Sequence, residues 1–148
     1  MAFPYKKILC PVDFDENSMH ALDEAIGLAR HFKAAIDLVH VVPLVIQYSD
    51  FPMPGEYYEE ERQQAKTKLN EIAANKLAGV DNHVMTYIGD IVGSILEAIE
   101  KSSPDLVVMA THGRTGLSHF FLGSVAEAVV RKSKSPVLTI RAGQAANP

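Results

Sequence analysis

The sequence alternates short apolar runs with longer segments whose apolar residues recur at helical spacing. The apolar runs are 8–12, 35–42, 106–109 and 136–141, and a further segment, 83–88, alternates polar and apolar residues, which predicts a half-exposed edge strand. Short apolar runs are typical of strands in a parallel sheet, and helical spacing predicts amphipathic helices between them. Crossovers between parallel strands are right-handed, so such helices cover both faces of the sheet. The alternation therefore predicts an α/β protein with a doubly wound, mostly parallel, five-stranded sheet between two layers of helices.

Residues at the helix ends agree with this alternation. Asp90 is placed to cap the third helix, and Gly79 predicts the end of a long second helix over 56–78. Ser124 and Glu127 form a Ser-x-x-Glu pair, which is typical of a capping box whose N-cap is the serine. We therefore expect Ser124 to cap the fourth helix.

Composition and charge exclude several classes of protein. The 148 residues suit one domain, which we expect to span 1–148 with a flexible tail over 142–148. The formal net charge is −4 with acids and bases interleaved, which argues against a nucleic-acid partner. No apolar run approaches the roughly 18 residues of a membrane span. The single cysteine, Cys10, cannot form an internal disulfide and lies in an apolar strand, which predicts a buried, unreactive thiol and a cytoplasmic location.

A glycine-rich segment over 109–124 follows the fourth predicted strand and leads into the fourth helix. It carries three glycines, two threonines and Arg114. A loop of this kind can bind phosphate oxygens through its backbone N–H groups. It contains neither the Gly-Lys-Ser/Thr of a P-loop nor the Gly-x-Gly-x-x-Gly dinucleotide fingerprint. The segment therefore predicts an anion site of another type or, in its simplest interpretation, a turn whose glycines supply positive φ.

Asp13 follows the first predicted strand and is the acidic residue best placed to share that site. In doubly wound sheets, ligands bind beyond the carboxyl ends of the strands, where the strand order reverses. If the order is 3-2-1-4-5, strands one and four are neighbours and bring Asp13 beside the glycine-rich segment. Asp13 then binds ribose hydroxyls or a metal, or it is simply a solvated acid or an N-cap. His112, inside the segment, either contacts phosphate or faces water, and His40 is interpreted as a hydrogen-bonded core histidine.

Catalytic and metal-binding patterns are not apparent in the sequence. The six histidines lack the pair spacing of a metal site, so the metal, if any, is unknown. No nucleophile with an adjacent base can be assigned from the sequence.

These residues resemble the universal stress protein family. The resemblance rests on 7–13, on 40–42 at the end of the second strand, on 109–124, and on 135–140 at the last strand. The family's nucleotide motif is Gly, two residues, Gly, nine residues, Gly and then Ser or Thr. Here it runs from Ala110 through Gly113 to Gly123 and Ser124 with the same spacing.

The resemblance implies an adenine nucleotide alpha hydrolase-like fold with strand order 3-2-1-4-5, and ATP, with Mg or Mn as its possible metal, at the carboxyl edge of the sheet. It also implies a homodimer paired through the last strand, over Val137, Leu138, Thr139 and Ile140. With His112 included, the candidate nucleotide-binding residues are Pro11, Val12, Asp13, Val41, Met109, Ala110, His112, Gly113, Arg114, Gly123, Ser124 and Val125.

Ala110 departs from the motif, because it replaces the first glycine. The added methyl costs little if φ at this position is negative, and strains the turn or crowds a ligand if φ is positive. The intact glycines then carry the site. Gly123→Val is predicted to abolish ATP binding while leaving the fold intact.

The leading hypothesis is an ATP-binding stress-response or regulatory protein that acts as a nucleotide-responsive homodimer. One alternative is a slow ATPase or autophosphorylating protein that uses the same site, with acceptor hydroxyls on Thr111, Thr115, Ser118 or Ser124. Another is a receiver-like phosphoacceptor module built from Asp13, Asp15 and Lys134. A further one is an interaction module that contacts a protein partner through the loop 43–55.

Overall fold

The structure is a computed structural model that describes residues 3–44, 53–112 and 122–141. Five strands and four helices alternate along the described part of the chain. In order they are β1 Lys7–Pro11, α1 Glu16–Phe32, β2 Ala35–Pro43, α2 Gly55–Lys76, β3 Asn82–Gly89, α3 Ile91–Ser102, β4 Leu106–Ala110, α4 Ser124–Lys132 and β5 Val137–Ile140.

All the strand pairs are parallel, and the sheet has the order β3-β2-β1-β4-β5. The predicted fold class and strand order are therefore confirmed. β1 is central, with β2 on one side and β4 on the other. Pro11 is the last residue of β1, where the missing N–H of a proline is tolerated because the strand is ending.

Alternate residues of the strands divide the core into two clusters. On one face, Ile8 and Cys10 of β1 pack with residues of α1 and α2, including Leu22 and Leu69. On the other face, Leu9 packs with residues of α3 and α4. The period of two along β1 thus separates two helical layers, as expected of a doubly wound sheet.

Cys10 is completely buried in this core. Burial raises the pKa of its thiol to about 12, because the thiolate is disfavoured away from water. The thiol is therefore protonated at neutral pH, in agreement with the prediction of an unreactive side chain.

Two of the predicted helix ends differ from those in the structure. α2 ends at Lys76, and Gly79 lies beyond it in a turn, with φ of 81°. The N-cap of α4 is Gly123, and Ser124 is already the first helical residue. The capping-box prediction is wrong, because the Glu127 side chain pairs with Arg131 at 2.9 Å instead of returning to the N-cap. Asp90 caps α3 as predicted, accepting a hydrogen bond from the Gly93 N–H at 2.7 Å.

Within the described ranges, none of the helices is long and apolar enough to cross a membrane. The tail 142–148 and residues 45–52 of the loop 43–55 lie outside the described residues, as do 113–121 of the glycine-rich segment.

Candidate functional site

A cavity of about 560 Å³ lies at the carboxyl edge of the sheet, where β1 and β4 are neighbours. The chain leaves β1 toward α1 on one face and leaves β4 toward α4 on the other, which makes this edge the switch point of the sheet. Its volume lies within the range of small-molecule sites, about 300–1,000 Å³. Ten of the twelve predicted nucleotide-binding residues line it: Pro11, Val12, Asp13, Val41, Met109, Ala110, His112, Gly123, Ser124 and Val125. The other two, Gly113 and Arg114, lie outside the described residues.

The N-terminus of α4 forms one wall of the cavity. Ser124, Val125 and Ala126 line this wall. Their N–H groups precede the first intrahelical hydrogen bond, which the Glu127 N–H donates to the Gly123 carbonyl at 2.9 Å. Within the described residues these N–H groups have no hydrogen-bond acceptor, and together with the positive end of the helix dipole they favour a negatively charged ligand at this wall.

Gly123 is held against the end of β4 by a short backbone contact. Its N–H donates to the Thr111 carbonyl at 2.7 Å. A Cβ at position 123 would lie 2.7 Å from the same oxygen and 3.5 Å from the His112 Cα. Only glycine therefore fits this approach without moving backbone. In Gly123→Val the backbone at this corner must therefore shift, contrary to the prediction that the fold is undisturbed.

Ala110 fits its position without strain. It is the last residue of β4, and the non-glycine residues with positive φ in the described part of the chain are Phe14, Lys33 and Ser103. The methyl group therefore sits on extended backbone, which any residue adopts. The departure from the family motif costs no backbone energy here.

Asp13 is presented by a tightly bonded turn between β1 and α1. Its N–H donates to the Ser18 hydroxyl at 3.1 Å, and its carboxylate accepts a hydrogen bond from the Asp15 N–H at 3.2 Å. Asp15 in turn caps α1 through the Ser18 N–H at 2.8 Å. Burial raises the pKa of Asp15 and the Asp13 carboxyl raises it further, while the bonds from Ser18 lower it. The turn thus holds one carboxylate toward the cavity and uses the other as a cap.

Phe14 and His40 brace this turn, and sequence reasoning gave neither a role in the site. Phe14 has φ of 67°, which is rare for a bulky side chain. Its ring packs against the His40 imidazole with centroids 4.4 Å apart, and the Lys68 ammonium lies 5.2 Å from the ring centroid. His40 Nδ1 lies 2.8 Å from the Val12 carbonyl oxygen, so this nitrogen carries a proton and donates it. The bond joins the ends of β1 and β2 beside the cavity.

Replacement of Phe14 tests this bracing. Phe14→Gly and Phe14→Ala both remove the ring, but only glycine is relaxed at φ of 67°. We expect the free energy of unfolding of Phe14→Gly to be about 1 kcal/mol higher than that of Phe14→Ala. At a position with negative φ the alanine variant would be the more stable of the two. Urea unfolding followed by circular dichroism measures the difference. A more stable alanine variant would contradict the strain argument.

Thr111 and His112 are both buried at the corner between β4 and α4. The Thr111 hydroxyl lies 2.9 Å from His112 Nδ1. His112 Nε2 is buried and has no hydrogen-bond partner within the described residues. The sequence analysis gave two alternatives for His112, contact with phosphate or exposure to water. In the structure His112 is buried from bulk water and lines the cavity.

Other lining residues come from helices that sequence reasoning did not connect with the site. They are Ser18 of α1, Tyr57 and Glu61 of α2, and Ile91 and Ile95 of α3. No motif marks these positions, and only the packing of the helices over the sheet edge brings them in. Asp13 and Glu61 are the carboxylates among the described lining residues. The described residues contain no group of three or more His, Cys, Asp or Glu that could hold a metal ion.

The receiver-like interpretation is not compatible with this geometry. Lys134 lies just before β5, at the amino edge of the sheet, and its ammonium lies 3.7 Å from the Glu100 carboxylate. Asp13 follows β1 at the carboxyl edge. The proposed acid and cation are therefore at opposite ends of parallel strands.

The sheet order, the switch-point cavity and the free helix N-terminus define a doubly wound α/β protein with an anion-favouring crevice at its carboxyl edge. The sequence model of the universal stress protein family matches residues 4–141. The chain belongs to the universal stress protein family.

Individual relatives agree with this assignment. The chain is 36% identical over 143 residues to the universal stress protein MJ0531 of Methanocaldococcus jannaschii, covering 93% of this chain and 82% of that protein. Its fold is similar to that of the universal stress protein UspA from Lactobacillus plantarum, with a TM-score of 0.79, 22% identity, and coverage of 93% and 98%. It is also similar to a universal stress protein crystallised in complex with cAMP, with a TM-score of 0.68, 24% identity, and coverage of 94% and 98%.

Proposed function

We propose that this universal stress protein binds an adenine nucleotide, ATP, in the cavity at the carboxyl edge of the sheet, and acts as a nucleotide-responsive homodimer in a stress-response or regulatory role. The observation that carries the proposal is the convergence of ten predicted ligand residues on one cavity beside the free N–H groups of α4. These residues come from four separate parts of the chain, which the parallel sheet and α4 bring to one edge.

The two ends of the cavity suit the two ends of a nucleotide. Pro11, Val12 and Val41 offer apolar surface and strand-end backbone to a base, and Asp13 offers carboxylate oxygens to ribose hydroxyls. The α4 N-terminus offers hydrogen-bond donors to phosphate. If ATP binds together with Mg²⁺ or Mn²⁺, which would neutralise phosphate charge, Asp13 and Glu61 are the carboxylates among the described lining residues that would supply oxygen ligands.

The experiment is to identify what the purified protein carries and then titrate it. We expect an adenine nucleotide in the supernatant of the denatured protein, and calorimetric binding of ATP that is much tighter than that of GTP. Cyclic AMP belongs in the panel because a structurally similar family member was crystallised with it. ATP should bind more tightly than cAMP, since its extended phosphates reach more of the donors at α4. No released nucleotide and no heat with ATP would overturn the proposal.

The homodimer is proposed through the outer edge of β5, which pairs with no other strand of the described residues. The carbonyls of Pro136 and Ile140 accept hydrogen bonds from the β4 segment, at 2.9 and 3.0 Å. Neighbouring residues of a strand direct their N–H and C=O groups to opposite sides, so those of Val137 and Thr139 point away from β4. Leu138 on the same strand is 39% exposed. A second copy related by a two-fold axis can pair its own β5 here and continue the sheet.

Thr111 links this edge to the cavity. Its N–H donates to the Ile140 carbonyl at 3.0 Å, and its carbonyl accepts the Gly123 N–H at 2.7 Å. A displacement of α4 by bound phosphate therefore acts on the same residue that holds the end of β5. This shared residue supports a dimer that responds to the nucleotide.

A further inference from the structure

We propose that Thr111 fixes the tautomer of His112 so that its Nε2 carries a proton, and that this N–H is a phosphate-specific donor of the nucleotide site. The inference rests on the proposed function for the identity of the ligand, but the tautomer does not depend on any ligand. It assigns His112 a chemical role and Thr111 a positioning role.

The hydrogen-bond inventory of the pair decides the tautomer. If the Thr111 hydroxyl donates to Nδ1, every group of the pair is satisfied except the Nε2–H. If Nδ1 carries the proton instead, two buried groups lack partners within the described residues, namely the hydroxyl hydrogen and the Nε2 lone pair. Each unsatisfied buried group costs about 1–3 kcal/mol, so the first arrangement is favoured.

The residue that carries the remaining donor lines the cavity beside the N-terminus of α4. His112 and Ser124 both line the cavity, and the backbone of His112 is close to Gly123, the N-cap of α4. The N–H groups that open α4 and the Nε2–H of His112 are donors at this corner. A phosphate has several acceptor oxygens and negative charge and can accept from all of these donors, whereas the single oxygen of a hydroxyl can accept from at most two.

Burial makes this donor selective and strong. Because Nε2 is shielded from water, a bond to a phosphate oxygen replaces no bond to solvent, and the contact requires the ring to turn toward the ligand. Hydrogen bonds to charged groups are worth about twice those between neutral groups. The pair should therefore discriminate ATP from adenosine, which has no phosphate.

The tautomer is measured directly by ¹⁵N–¹H correlation NMR of the histidine rings in the free protein. We expect His112 Nε2 to resonate as a protonated nitrogen and Nδ1 as an unprotonated one. In Thr111→Val, which keeps the shape and removes the hydroxyl, the two forms should mix, and Thr111→Ser should restore the single form. A wild-type His112 protonated on Nδ1 alone would overturn the proposal.

The contact is measured by titrating variants with ATP and with adenosine. His112→Leu should weaken ATP binding about 10-fold or more and leave adenosine affinity unaffected. His112→Gln, whose terminal amide replaces the Nε2–H, should recover part of the loss. Thr111→Val should bind ATP about 3-fold more weakly than the wild type, and Thr111→Ser should bind ATP with wild-type affinity. His31→Leu, at an exposed histidine in the last turn of α1, is the matched control that should bind like the wild type.

The outcomes separate this inference from the proposed function. Wild-type ATP affinity in a folded His112→Leu protein would overturn the phosphate contact while leaving ATP binding intact. Equal losses toward ATP and adenosine would also overturn it, since they would indicate a general disturbance of the cavity. A wild-type protein that binds no nucleotide would overturn both the proposed function and the phosphate contact.

Discussion

Gly123→Val is expected to weaken ATP binding by at least about 100-fold, the largest effect of any single change in the site. The Cβ of valine would lie 2.7 Å from the Thr111 carbonyl oxygen, and that oxygen is held by the Gly123 N–H. The backbone fixes the position of the Cβ and the clashing oxygen belongs to the main chain, so no side-chain rotation relieves the clash. α4 and the end of β4 must separate, which displaces the free N–H groups and His112 together. Isothermal titration calorimetry measures the loss.

Stability should change as well, because the displaced contact joins α4 to the sheet. Overpacking of this kind costs about 1–3 kcal/mol, so the variant should fold with a lower free energy of unfolding. Gly123→Ala carries the same Cβ and should show most of the effect.

The matched control is Gly27→Ala in the exposed face of α1, where a Cβ would meet nothing within 4 Å. Alanine is the better helix former by about 1 kcal/mol, so this variant should be more stable and bind ATP like the wild type. If Gly123→Val were folded and bound ATP with wild-type affinity, both the site and the role of α4 in it would be wrong.

The topology could be predicted from sequence because its causes are local. Each strand is an apolar run, each helix has an apolar stripe, and right-handed crossovers leave few ways to arrange them. The same reasoning placed Asp13, Val41 and Ala110 at one edge, since the carboxyl ends of parallel strands meet there. The ten predicted residues that line the cavity follow from this arrangement and from the spacing of the family motif.

What sequence reasoning missed depends on contacts between distant residues. Ser124 and Glu127 match a capping box, but the Gly123–Thr111 bond shifts the N-cap by one residue. Glu61 reaches the cavity only because α2 packs over the sheet edge. Phe14 adopts positive φ in a turn braced by His40, which lies on another strand.

Asp37 is a similar case at the opposite edge of the sheet. It lies within an apolar run and is 4% exposed. It accepts a hydrogen bond from the Ser102 hydroxyl, and its other oxygen lies 3.4 Å from His83 Nδ1. Ser102 and His83 are distant from Asp37 in sequence, so the apolar pattern of 35–42 gave no sign of these polar contacts.

Thr139→Pro is expected to dissociate the proposed homodimer, raising its dissociation constant by at least about 100-fold. The Thr139 N–H points away from β4, so proline removes a hydrogen-bond donor from the outer edge of β5. The hydrogen bonds between β4 and β5 remain, and the monomer should therefore stay folded. Thr139→Val retains the N–H and the branched side chain and should remain dimeric. Sedimentation velocity should give twice the 16.2 kDa chain mass for the wild type and for Thr139→Val, and the chain mass for Thr139→Pro. A dimeric Thr139→Pro would place the interface elsewhere.

The same measurement with and without ATP tests whether the nucleotide controls the dimer. Ile140, Thr111 and Gly123 form a continuous backbone path from the edge strand to the α4 N-terminus. ATP should therefore shift the dimerisation constant of the wild type, and by linkage dimerisation should shift ATP affinity by the same factor. In Gly123→Val, which should bind ATP at least about 100-fold more weakly, the same ATP concentration should leave the dimerisation constant unchanged. If the wild type bound ATP but its dimerisation constant did not change, the β5 edge and the cavity would be uncoupled. Thr111 would then connect β5 and α4 without transmitting the effect of the nucleotide.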